Sequence, residues 1–267
     1  MPDVRPAAVA GMFYPDAPVL LGEQVGAYLA AAAGNAEPAW PKALIVPHAG
    51  YVYSGPIAAS GYAQLAPGRD AIRRVVLLGP VHRVPVRGLA LPAASFFSTP
   101  LGRVAVDAEA SALARSLPQV VVSAAAHARE HSLEVQLPFL QRVLADFSIV
   151  PFAVGDASPE EVATVIDLLW GGSETLIVVS SDLSHYHSYA DARRIDRATV
   201  DDIRGLASTL DHEQACGATP INGLALCAQR HALAPKLLDV RNSGDTSGDK
   251  SRVVGYAAFA FSESARA

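Results

Sequence analysis

Cysteine is nearly missing from this chain: Cys216 and Cys227 are the only two among 267 residues. Two thiols cannot build a disulfide framework, and they suit a reducing compartment. Basic excess is missing as well, since 21 Lys and Arg stand against 26 Asp and Glu for a formal net charge of −5. That balance argues against a nucleic-acid partner, which needs a basic face, and no run of like charges marks a binding tail. No stretch reaches the roughly 18 consecutive apolar residues of a membrane span, and the Ala-rich run from Ala27 to Ala33 is far too short. The start, Met1-Pro2-Asp3-Val4-Arg5-Pro6, lacks the charged-then-apolar order of an export signal. A cytoplasmic protein with neither nucleic-acid nor membrane partners is expected. Internal repeats and low-complexity linkers are also lacking, so residues 1–267 are expected to form one domain.

What is present is apolar residue in short, punctuated runs, 51% hydrophobic overall. Ala43–Val46, Val75–Leu78, Ser148–Val154 and Leu176–Val179 are each bounded by turn residues and predict buried strands. Leu237–Val240 and Val253–Phe261 predict two more. Helices are predicted between them: Asp107–Leu117 and Ser158–Leu169 open on good cap residues, Asp191–Leu206 is amphipathic, and Thr219-Pro220 leads into Ile221–His231. Asn35–Pro38, Ala66–Gly68 and Asn242–Lys250 predict loops, and Leu89–Val106 a hairpin or irregular insertion. Strands alternating with helices imply a three-layer α/β/α sandwich with a largely parallel or mixed central sheet.

Three polar clusters follow directly on apolar strands. The first strand runs into Pro47-His48-Ala49-Gly50-Tyr51, the second into Gly79-Pro80-Val81-His82, and the fourth into Ser180-Ser181-Asp182-Leu183-Ser184-His185-Tyr186. In open α/β sheets, sites form beyond the carboxyl ends of the strands. One histidine after a strand is most often a hydrogen-bonded structural residue; three in the same topological position point to a pocket lined by His48, His82 and the Asp182/His185 pair. Their spacing does not say whether it holds a metal. Gly50 and Gly55 allow close backbone approach or positive φ, and Tyr51 and Tyr53 are either pocket walls for a ring or an acid, or half-buried packing. Cys216 precedes a helix start, where the dipole favours a thiolate able to ligate or react; otherwise it is a small buried apolar group, the reading taken for Cys227. His127-Ala128-Arg129-Glu130-His131 matches the H-x-x-E-H zinc-peptidase pattern, a third reading in which Glu130 is the base of a zinc hydrolase. Ser132 predicts a helix cap.

Six blocks together resemble the Memo family, called AmmeMemoRadiSam system protein B in prokaryotes. They are Met12-Phe13-Tyr14-Pro15, Pro47-His48-Ala49-Gly50-Tyr51 with Ser54-Gly55, Gly79-Pro80-Val81-His82, Glu130-His131-Ser132-Leu133-Glu134, Ser181-Asp182-Leu183-Ser184-His185-Tyr186 and Cys216-Gly217. The resemblance covers nearly the whole chain in order. It implies a fold shared with the class III extradiol dioxygenases, which hold Fe(II) with two histidines and a carboxylate and open catechol-like rings with O₂. It implies His48, His82 and Cys216 as metal ligands, Asp182 and His185 as the acid/base pair, and a substrate pocket with Tyr51, Tyr53, His131 and Glu134. A thiolate in place of the carboxylate softens the site, so zinc or copper join Fe(II) as candidates. Two activities follow as expectations: an iron-dependent oxygenase acting on a small aromatic or related metabolite, or a non-catalytic metal, redox or phosphopeptide binder. The family name also links it to AMMECR1-like and radical SAM proteins, and a homodimer is compatible with the composition.

Overall fold

The structure, a computed structural model, describes residues 3–35 and 39–263. Six strands build the part of the sheet that carries the site: β1 (Ala43–Val46), β2 (Arg74–Pro80), β3 (Ser148–Val154), β4 (Thr175–Ser180), β5 (Leu233–Asn242) and β6 (Val253–Glu263). Their order across the sheet is β3-β2-β4-β1-β6-β5. The first four run parallel, and β6 returns antiparallel between β1 and β5. The sheet is therefore mixed, with a parallel centre.

Alternate residues of the parallel strands enter two separate cores. Ile45, Val76, Leu78, Val150, Ile177 and Val179 pack on one face. Leu44, Val46, Val75, Leu77, Ile149 and Val178 pack on the other. Helices cover both: α1 (Pro18–Ala32), α2 (Tyr51–Tyr62) and α3 (Leu137–Val143) lie over the second face, while α4 (Pro159–Leu168), α5 (Tyr189–Arg204) and α6 (Ala218–Arg230) lie over the first. A sheet buried on both faces needs apolar side chains in both directions, and this is why its strands read as unbroken apolar runs. Pro151 is tolerated within β3 because the flank there changes partner, from Gly102–Val106 at Ser148–Ile149 to Leu89–Leu91 at Ala153–Val154.

Most predicted elements are present, with local corrections. Helix α4 begins on a Ser158 capping box, and Asp107 caps Ala108–Ala114 as expected. Leu89–Val106 does contain a hairpin, Phe96–Thr99 against Gly102–Val106. Helix α6 starts one residue before Thr219, on Gly217. Ser132 caps no helix: its hydroxyl donates to the Pro80 carbonyl, and the chain passes through a 3₁₀ turn at Glu134–Gln136 before α3. Ala66–Gly68 closes a 3₁₀ helix, Ala63–Gly68, and Ser243–Thr246 forms a short helix inside the predicted 242–250 loop. Of the predicted loop at 35–38, residues 36–38 lie outside the described residues.

The sequence reading missed α1 and α2. In α2 the misleading signals were glycines. Gly50 has an ordinary φ of −55°, while Gly55 does serve close approach, from within the helix: a Cβ there would stand 2.5 Å from the Tyr28 ring of α1. No helix among the described residues is long and apolar enough to cross a membrane.

Candidate metal centre

The carboxyl ends of β2, β4 and β1 are neighbours, so the residues that follow them meet. His82 leaves β2, Asp182 leaves β4 and His48 leaves β1. A fourth segment reaches the same edge. Ser132 donates to the carbonyl of Pro80 at 2.9 Å, and its own carbonyl accepts the Ser180 hydroxyl at 2.6 Å. It is thereby tied across the ends of β2 and β4, and the preceding residue, His131, is held over the same spot. One ring nitrogen from each of His48, His82 and His131 lies within 4.8 Å of the other two.

Hydrogen bonds set the imidazole tautomers. Ser180 Oγ gives its proton to the Ser132 carbonyl, so towards His48 Nδ1, 2.9 Å away, it acts as acceptor. Nδ1 of His48 therefore carries the hydrogen and Nε2 the lone pair. His82 Nδ1 lies 2.9 Å from a carboxylate oxygen of Glu130, and the other oxygen accepts the His82 backbone N–H at 2.6 Å. Burial works to raise the Glu130 pKa, but the hydrogen bonds and charge of His82 and the Ser132 N–H outweigh it and bring it to about 2. Glu130 is thus an anion that orients His82 with Nε2 free, the carboxylate–histidine pairing common behind metal ligands. Burial pushes the His48 imidazole well below its usual pKa, helped by His131 and His82, and burial lowers His131 as well. Neutral rings are what metal coordination requires. The buried His131 Nδ1, 3.3 Å from the same Glu130 oxygen, makes no hydrogen bond.

Cys216 sits against this cluster. Its loop is docked by two backbone donors, Gly217 N–H to Ser181 Oγ at 2.9 Å and Cys216 N–H to the Asp182 carbonyl at 3.3 Å. Its Sγ is 3.3 Å from His48 Nε2. Burial and the nearby Asp182 push the thiol pKa up to about 12, so without a cation it is a protonated donor to His48. Asp182 is buried too. Burial raises its pKa, while the His48 backbone N–H, bound at 2.7 Å, counters it.

A cleft of about 440 Å³ opens over His131. Asp182, His185 and Tyr53 line it. Tyr51 and Glu134 do not. The Tyr51 hydroxyl donates to the Val135 carbonyl at 2.6 Å inside the core. Glu134 is fully buried, pairs with Arg5, and accepts the Ala8 and Val9 N–H groups and the Tyr14 hydroxyl. Both residues hold the N-terminal segment in place. The H-x-x-E-H pattern separates in space: His127 Nε2 binds the Ala90 carbonyl at 2.8 Å, its ring packs edge-on against Phe97, and it takes no part in the histidine cluster.

The donor set fits a metal ion. A triangle with edges of at most 4.8 Å places its centre within roughly 2.8 Å of each corner, against the ~2.0–2.1 Å of a zinc–imidazole bond. Closing that gap takes less than about an ångström of ring movement per histidine. His48, His82 and His131 would hold the ion, with Cys216 beside His48.

Comparison with known proteins decides the ancestry. The family model described as Memo-like protein matches residues 5–260. The chain belongs to the Memo family. It is 36% identical to a MEMO1 family protein of Thermotoga neapolitana, over 95% of this chain and 98% of that one. A MEMO1 family protein of Sulfolobus acidocaldarius is 33% identical, over 97% of this chain and 100% of the relative. Among solved structures, an uncharacterized protein from Escherichia coli K12 superposes with a TM-score of 0.52 at 14% identity, covering 81% of this chain and 98% of that one. That likeness extends to the fold alone. Within this Memo chain, His131 lines the cleft as expected of a pocket residue, but its place in the histidine cluster was missed, as was the place of Glu130 behind His82. His131 follows no strand, and Glu130 lay hidden in a zinc-peptidase pattern; the adjacent Ser132 tether only has meaning once β2 and β4 are known to be neighbours.

Proposed function

We propose that this protein is a metal-dependent oxygenase of the non-haem Fe(II) type, acting on a small aromatic metabolite bound in the cleft over His131. The observation that carries this reading is the convergence of three imidazoles, His48, His82 and His131, of which His131 also lines a ring-walled cleft beside a further histidine, His185. When bound, Fe(II) with three protein ligands supplies open positions for a chelating substrate and for O₂.

The chain's own groups complete the arrangement. His185 donates Nδ1–H to the Leu183 carbonyl at 2.8 Å, which leaves its Nε2 lone pair able to take a proton from a substrate hydroxyl. Asp182, gripping the His48 backbone, fixes the loop that carries His48 and lines the same cleft. Phe13 packs against His131 with ring centres 4.8 Å apart.

One observation favours a second reading. A thiol 3.3 Å from His48 Nε2 is a soft donor and suits copper or zinc, in a centre that binds metal or exchanges electrons without turning over a substrate.

Elemental analysis of anaerobically purified protein, followed by an oxygen-electrode screen with catechols, separates these readings. Bound iron with substrate-dependent O₂ uptake supports the oxygenase. Bound copper or zinc with no uptake for any ring compound supports the second reading. Unchanged metal content in His48→Ala and His82→Ala variants would end both.

A further inference from the structure

Rings wall the cleft, and a single guanidinium faces it. Phe13, Tyr53, Tyr186 and Tyr256 are among its lining residues, with Arg252 at the rim. Its volume of about 440 Å³ suits a small ligand.

The Arg252 head is set in place. Its Nε donates to the Tyr186 carbonyl at 3.3 Å, and its guanidinium carbon lies 5.6 Å from the centre of the Tyr186 ring. Tyr186 itself has φ of 60°, in the left-handed region that a tyrosine rarely adopts. Such backbone persists where the surroundings over-determine it, and it gathers at ligand sites. Here it turns the Tyr186 carbonyl towards Arg252.

Those surroundings are the pairing of two strands. His185–His187 runs antiparallel to the start of β6, with His185 opposite Val254. Arg252 immediately precedes β6. The register shifts between His185 and His187, which leaves Tyr186 as the bulged residue, so the proposed base and the guanidinium flank one short, bulged ladder.

Among the described residues, no carboxylate forms an ion pair with Arg252. Asp249, the other rim charge, turns one carboxylate oxygen to its own loop, where it accepts the Ser251 N–H at 2.9 Å and the Ser251 hydroxyl at 2.8 Å. The terminal nitrogens of Arg252 keep their donors, in the planar fork that matches a carboxylate.

We infer that the cleft selects a flat aromatic ring bearing a carboxylate, with Arg252, positioned by Tyr186, as the anion clamp. This rests on the reading of the cleft as the substrate site, and it narrows the substrate from aromatic metabolites in general to aromatic acids.

Calorimetric titration of the metal-stripped, folded protein with benzoate and with its neutral isostere benzamide tests the inference without any turnover. Wild type is expected to bind benzoate at least ~10-fold more tightly, as a charge-assisted pair should. Arg252→Gln should equalise the two ligands, and Arg252→Lys should retain part of the preference. Equal or absent binding of both ligands by wild type, or a preference that survives in Arg252→Gln, would overturn it. Metal content of the same proteins before stripping is measured in parallel. Arg252→Gln should keep the wild-type level, so a failed anion preference leaves the metal reading intact, and a protein without metal leaves the anion clamp intact.

Discussion

Glu130 grips His82 twice, with one carboxylate oxygen 2.9 Å from the imidazole Nδ1 and the other accepting the backbone N–H at 2.6 Å. The same carboxylate also takes the N–H groups of His131 and Ser132. One buried anion thus orients one candidate ligand and positions the backbone of a second. Glu130→Gln removes the charge and one acceptor while keeping the size. Metal affinity, measured by competition with a chelator, should fall roughly 10–100-fold, the usual cost of losing a carboxylate behind a ligating histidine. A variant that holds metal as tightly as wild type would show that Glu130 serves folding alone.

His131 and His127 separate two readings of the same five residues. In the zinc-hydrolase reading both are ligands. The structure brings His131 to His48 and His82 and sends His127 to the Ala90 carbonyl. His131→Ala should therefore lose most bound metal, whereas His127→Gln should keep it. Stoichiometric metal in His131→Ala together with loss in His127→Gln would reverse the assignment.

The contrast between His48 and His131 shows what the sequence could disclose. His48 and His82 were legible because apolar runs announce buried parallel strands, and sites form where such strands end. The legibility stops where position depends on contacts between distant segments. His131 reaches the cluster only because Ser132 bridges Pro80 and Ser180, residues 52 and 48 positions away. Tyr51 and Glu134 misled for the opposite reason: a polar residue in a distinctive block can be buried structure, as the Arg5 pairing of Glu134 shows. Helix α2 was illegible because its glycines answer to neighbours. Gly55 makes room for Tyr28, and a Cβ on Gly61 would stand 2.7 Å from Val46. Neither constraint leaves a periodic signature.

Arg5 ties the N-terminal segment to the loop that carries His131. Besides pairing with Glu134, it donates to the carbonyls of His127 at 2.9 Å and Glu130 at 2.6 Å. Arg5→Met leaves the Glu134 charge buried without its cation. A loss of about 3–5 kcal/mol is expected, the range for removing one partner of a buried pair. Urea denaturation measures it, and metal affinity should fall alongside because the loop loses its anchor. A loss under about 1 kcal/mol, the range of an exposed pair, would contradict the buried-pair reading.

His127 should make the fold acid-sensitive through a group outside the histidine cluster. Burial holds its pKa down at about 4, whereas in an unfolded chain it returns to about 6.5. The folded value is the lower one, so as pH drops the unfolded chain takes up the proton first. The stability that neutral His127 contributes is complete above about pH 6.5, shrinks as pH falls, and is gone near pH 4. At about 1.4 kcal/mol per pH unit the whole effect amounts to roughly 3 kcal/mol. Other titrating groups are common to wild type and His127→Gln, whose amide can still donate to the Ala90 carbonyl. The stability advantage of wild type over this variant should therefore narrow by about 2–3 kcal/mol between pH 7.5 and pH 4.5 in parallel urea titrations. Parallel pH profiles for the two proteins would mean that His127 is not held neutral in the folded state.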